Sequence, residues 1–136
     1  MAWDFVNPPG KVLGYASLAA ASSAGSGDKL SVTIVDPPGD VLISGGALAR
    51  STGGAGANVY VRVFDGAAAT GTFYTAQYFN HSVANYNCPL TLPPVVVTAW
   101  AGSKTFYLNL NNSAGTPTIL GLAASASTTL VATLAG

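Results

Sequence analysis

The sequence predicts an all-β protein, an antiparallel sandwich or barrel, and three observations carry that prediction. Short segments alternate apolar with polar side chains or run as β-branched stretches. Gly, Pro, Asn and Asp cluster between them at intervals of about 8–12 residues. No stretch repeats its apolar residues at the 3.6 spacing that an amphipathic helix needs.

The stretch from Asp28 to Asp65 organises the rest. Leu30, Val32 and Ile34 alternate with Ser31 and Thr33, which describes a strand with one buried face. Asp36-Pro37-Pro38-Gly39 ends it, because proline has no N–H for a ladder and Gly39 is expected to take the positive φ that reverses the chain. Val41-Leu42-Ile43 reads as a buried run, residues 51–57 as a loose loop, and Val59, Val61 and Val63 as a third strand ending at Asp65-Gly66.

Upstream, Val12 to Leu18 reads as a strand and Ala19 to Gly27 as a loop of small residues. Downstream, Gly71 to Phe79 is an aromatic strand, and Asn80 to Pro94 is irregular and rich in turn residues. Val95 to Trp100 reads as a buried strand, Gly102-Ser103 as a turn, and Lys104 to Leu110 as a clean alternation. Asn111 to Gly115 turns the chain, and Thr118 to Leu122 and Thr128 to Leu134 complete it. The total is about eight to ten strands. The expected core includes Val32, Ile34, Leu42, Val61, Val96, Phe106, Leu108 and Leu130. With no fixed-period repeat, residues 12–136 read as one β-sandwich domain behind a short extended N-terminal arm, residues 1–11.

Composition narrows the function. Of 136 residues 49% are hydrophobic and only 7% charged. Ordinary domains are about 25% charged. Five Lys and Arg balance five acidic residues, all of them aspartate. A chain of this size exposes about 6,500 Å². Ten charges spread over that area cover it thinly, which favours an oligomer or an assembly component over a free monomer. The absence of a basic cluster argues against nucleic acid. The uncharged stretches 66–103 and 105–136 are broken every few residues by polar side chains or proline, so no membrane span is expected. Lys11 precedes a mildly apolar run, but Asp4, Pro8-Pro9 and the weak hydrophobicity around Gly14 argue against a signal peptide.

Candidate chemistry is sparse. The single Cys88 excludes an intrachain disulfide and a cysteine-rich zinc site, and reads as a small buried apolar residue. His81 has no second histidine or glutamate to help hold a metal, and reads as a loop residue. Asp28, Asp36, Asp40 and Asp65 lie at strand ends or turns, where local turn chemistry accounts for them. Gly53-Gly54-Ala55-Gly56 lacks the Lys-Ser/Thr of a phosphate loop. Neither catalysis, a metal nor a cofactor is expected. Tyr74, Tyr78, His81 and Tyr86 are the one group that could stack on a sugar, although aromatics at strand spacing are more often core or interface residues.

The arm carries Trp3 and Phe5 around Asp4, then Asn7-Pro8-Pro9-Gly10. Its aromatics either fold back on their own domain or dock on another chain; in the second case Trp3, Phe5, Pro8 and Pro9 are the partner-binding residues.

The segment order resembles the small jelly-roll-like structural domains of tailed phages. The resemblance lies in Leu30 to Ile34, then Pro-Gly-Asp-Val-Leu-Ile-Ser at 38–44, then Val59 to Val63 with Asp65-Gly66. It continues in Ala-Gly-Ser-Lys-Thr-Phe-Tyr-Leu at 101–108, the segment after Gly115, and Thr129 to Ala132. It implies a non-enzymatic virion protein, trimeric, made in the host cytoplasm. Within that class the short arm favours a capsid decoration (cement) protein bound to the major capsid protein. The alternative is the receptor- or carbohydrate-binding head of a tail fibre or tail tip.

Overall fold

A computed structural model describes residues 6–18, 22–53, 57–81, 83–121 and 128–135, with His81 described by its backbone alone. Eleven strands occur among them, and no helix. They are β1 (Val12–Ser17), β2 (Ser22–Ala24), β3 (Gly27–Val35), β4 (Val41–Ser51), β5 (Ala57–Gly66) and β6 (Thr70–His81), followed by β7 (Cys88–Thr91), β8 (Val95–Val97), β9 (Ser103–Asn112), β10 (Pro117–Leu120) and β11 (Thr129–Leu134). Every pairing is antiparallel. The first sheet runs β1-β11-β4-β10-β2, and the second β3-β9-β5-β6. The sandwich expected from the alternation is what the chain forms.

The first sheet is built on β4. Along one side β4 pairs with β11 and then β10; along the other it pairs with β8 and then β7. Gly45 permits this crowding, because a side chain there would run into the Thr129 carbonyl of β11.

The core fills the space between the sheets. Val41, Ile43, Val59, Val61, Val63, Phe106, Leu108, Leu110, Ile119 and Leu130 are fully buried, and Val32 and Ile34 nearly so. Along each strand the inward residues alternate with outward ones, as a pleat requires.

Several expectations need correction. Leu42 and Val96 are not core residues. They pair with each other and point outward, because Val41, Ile43 and Val97 hold the inward positions on either side. The turn after β3 takes its positive φ at Asp36 (44°) and not at Gly39, since the Asp36 carboxylate captures the Gly102 N–H (2.6 Å) and stabilises the left-handed backbone. Two strands escaped the alternation test because they are short: β2 in the small-residue run and β7 in the proline-rich segment. The strand expected to reach Trp100 stops at Val97. His81 closes β6, opposite Ala57, and is not a loop residue.

Candidate binding surfaces

The two outer faces of the sandwich differ in chemistry. On the first sheet, Tyr15 lies opposite Val131, which lies opposite Ser44. Leu42 lies between Thr133 and Val96, and Val12 opposite Thr133. All face outward, because Leu130, Ala132, Val41 and Ile43 take the inward places. Val12 (59%), Tyr15 (56%) and Val96 (57%) remain exposed. Among the described strand residues facing that way, Arg50 alone carries a charge, at the far end of β4. The whole chain exposes 6717 Å², so its ten formal charges leave room for a neutral apolar face of this kind.

On the second sheet the outward row of β5 is Asn58, Tyr60, Arg62 and Phe64, since Val59, Val61 and Val63 point into the core. Tyr60 lies opposite Tyr78, with ring centroids 6.0 Å apart, and Phe64 opposite Phe73, in a T-shaped contact at 5.6 Å. Tyr78 is 60% exposed and Phe73 53%. The Asn80 side-chain amide donates to Asn58 (2.8 Å), which donates to the Tyr60 hydroxyl (3.2 Å).

A polar chain crosses this face. Arg62 Nη2 donates to Asn109 Oδ1 (3.0 Å), and Asn109 Nδ2 donates to Asp28 Oδ1 (2.9 Å). The second Asp28 oxygen accepts the Ala68 N–H (2.7 Å). Ala68 belongs to the β5–β6 hairpin tip, where Ala68 and Ala69 both take positive φ (56° and 59°). Two successive positive φ values are what a type I′ turn requires. The tip reaches toward β3 and, with Ser26, Arg62, Asn109, Leu110 and Asn111, lines a shallow, open cavity of about 230 Å³. The Arg62 guanidinium lies 5.2 Å from the Phe64 ring centroid.

Of the four residues that could have stacked on a sugar, Tyr74 follows the other reading, that of a residue packed on the core. Tyr78 points out, but Tyr74 packs against the core with its ring 5.3 Å from that of Phe106. The Tyr74 hydroxyl donates to Asp65 Oδ2 (2.9 Å), while Asp65 Oδ1 accepts the Thr72 N–H (2.6 Å). Burial, and then the Asp65 bond and charge, push the Tyr74 phenol up to about 12. For Asp65, burial pushes the carboxyl up, but the Thr72 N–H, the Tyr74 hydroxyl and the Lys104 charge outweigh it and hold the group below the ordinary carboxylate range. Tyr86 is exposed in the loop after β6, whose Asn85 N–H bonds to Ser51 of the first sheet (2.8 Å). The His81 side chain lies outside the described residues.

The other candidates have local duties. Asp40 accepts the Ala99 N–H (3.0 Å). Cys88 is half-buried, and burial pushes its thiol up. Trp3 and Phe5 lie outside the described residues. Half-buried Pro8 and exposed Pro9 open a turn in which the Lys11 N–H reaches the Pro8 carbonyl (3.1 Å) and Gly10 takes φ 82°. That is the geometry of a type II turn. Gly10 and Lys11 also exchange backbone hydrogen bonds with Leu134 (2.8 Å each), so the root of the arm is fixed to β11. The Arg62–Asn109–Asp28 chain was missed in the sequence, because its three members come from different strands.

No family model and no curated protein matches the sequence. Among solved structures the chain is similar to the Eiger TNF of S. frugiperda, at 10% identity and a TM-score of 0.54 over 94% of both chains. It is also similar to VP2 of the infectious bursal disease virus subviral particle, at 11% identity and a TM-score of 0.49 over 90% of this chain and 32% of that one. A third is CsCBM6-3 from Clostridium stercorarium in complex with cellobiose, at 16% identity, a TM-score of 0.39, and 88% and 80% coverage. The Eiger likeness is one of fold, and extends over nearly the whole of both chains.

Proposed function

We propose that this chain is a non-enzymatic structural subunit of a virion, a decoration protein that binds the outer capsid shell as a homotrimer and stabilises it. The observation that carries the reading is the neutral, apolar outer face of the first sheet: Val12, Tyr15, Leu42, Val96 and Val131 on a rigid ladder. Left in water, such a face is a liability; buried between copies, it supplies the association energy that a surface poor in charge cannot. The fold and the jelly-roll-like order of segments support the same reading. In it, Trp3 and Phe5 grip the shell from an arm whose Pro8–Lys11 turn fixes the point of departure. Gold-labelled antibody on purified particles tests it: label over the head supports decoration, and label confined to the tail defeats it.

The outer face of the second sheet favours a second reading, a carbohydrate-binding head. The Tyr60–Tyr78 pair beside amide side chains offers both a stacking surface and hydrogen-bonding groups for hydroxyls.

A further inference from the structure

We infer that the cavity beside the β5–β6 hairpin tip binds the carboxylate of an acidic sugar, a hexuronate, while the adjoining ring of the saccharide lies on Tyr60 and Tyr78. The inference rests on the carbohydrate-binding reading of this face and not on the assembly reading, which concerns the other sheet.

The polar part of the lining is Arg62, Asn109, Asn111 and Ser26, and the rest of it is apolar. Arg62 uses one guanidinium N–H on Asn109, and among the described residues no carboxylate lies within ion-pair distance of it. Its Nε is buried with no acceptor, so one edge of the cation is stripped of water without compensation. A partly desolvated guanidinium attracts an oxyanion more strongly than a solvated one, through the Nη N–H groups that remain. Asp28 is held one amide away from Arg62: its two oxygens accept from Asn109 and the Ala68 N–H, and neither is hydrogen-bonded to the guanidinium. Asn111 Oδ1 accepts from Ser26 Oγ (3.3 Å) and the Asn112 N–H (2.8 Å), which leaves its amide N–H groups for a ligand. The remaining N–H groups of Arg62 and Asn111 suit a group that only accepts, a carboxylate, better than a hydroxyl that must also donate.

Size and spacing select the rest of the ligand. The cavity, at about 230 Å³, is smaller than a whole small-molecule site, so it takes one group of a larger ligand. Tyr60 and Arg62 are outward neighbours on β5. Two residues along a strand span about 7 Å, the scale of one pyranose unit. Tyr60 also lies opposite both Tyr78 and Asn111, so the stacking surface adjoins the cavity wall.

The test is calorimetric titration of the full chain with tetragalacturonate, neutral cellotetraose and a tetraglutamate peptide. The expected result is saturable binding of tetragalacturonate, at least tenfold tighter than that of cellotetraose. Arg62→Gln should abolish that margin, and Tyr78→Ala should weaken both saccharides. The margin should also shrink several-fold between low and moderate salt, which reads the ion pair even if Arg62→Gln does not fold. Equal binding of the two saccharides would overturn the acid site alone. No saccharide binding would overturn the carbohydrate reading with it. Tetraglutamate binding as tightly as tetragalacturonate would show the cavity to be a site for acidic peptide and overturn the sugar assignment.

Discussion

Val96 lies directly across the ladder from Leu42, and both side chains point away from the core. A β-branched residue and a leucine held side by side on an outer face form a patch with nothing of their own sheet to cover them. The neighbouring Tyr15–Val131 pair enlarges it. This is why the first sheet, and not the aromatic second sheet, is assigned to self-association: its outward rows carry almost no charge to desolvate.

The Tyr74–Asp65 pair makes stability depend on pH at the alkaline end. The folded phenol titrates at about 12, against about 10 when free in the unfolded chain. A group whose pKa is raised by folding contributes stability that is complete below its unfolded value and is lost as pH rises through the folded value. Melting temperature should therefore fall between about pH 10 and 12. Tyr74→Phe should flatten that fall and lower stability at neutral pH by about 0.5–1.5 kcal/mol, measured by urea denaturation.

At the acid end the sign reverses. Asp65 is held below the ordinary carboxylate range, so its contribution is present above the unfolded carboxylate pKa and is lost as pH falls through the depressed folded value. Asp65→Asn should remove that part of the acid sensitivity, read as a smaller drop in melting temperature below about pH 4.

Gly45→Ala should be among the more damaging single-methyl additions. The new Cβ meets the backbone of β11, which cannot rotate aside as a side-chain tip can. A cost of about 1–3 kcal/mol is expected from urea denaturation of the variant.

Asn112 clasps the two sheets. Its side-chain amide donates to Ser51 Oγ (2.9 Å), to the Gly115 carbonyl (2.9 Å) and to the Ala114 carbonyl. Fully buried Ser51 in turn donates to Ala114 (2.8 Å) and accepts from the Gly53 N–H (3.1 Å). Asn112→Ala leaves these groups short of a partner and should cost about 1–3 kcal/mol. Hydrogen exchange at Gly53 should speed up with it.

The layered fold was legible because alternation reports which side of a strand is wet. Val32, Ile34, Phe106 and Leu108 could be placed in the core from that pattern alone. The pattern failed where both sides of a strand are apolar: a run such as Val95-Val96-Val97 does not say which residue turns outward, and pairing with β4 decides it. The candidate surfaces were legible only in part. Sparse charge announced a neutral face somewhere, but choosing the first sheet needed the register. Tyr74 and Tyr78 are four residues apart, a spacing that a regular strand keeps on one face; the register shift around Phe64 and Phe73 puts Tyr74 on the core side.

The most direct test of the account is the solution mass of the full chain by sedimentation equilibrium at micromolar concentration, alone and as the Tyr15→Asp/Val96→Asp pair. Both positions are more than half exposed. The pair should therefore fold, with a stability within about 1 kcal/mol of the parent. The account predicts a trimer for the parent and a folded monomer for the pair. A monomeric parent, or a trimer that survives both aspartates, would contradict it.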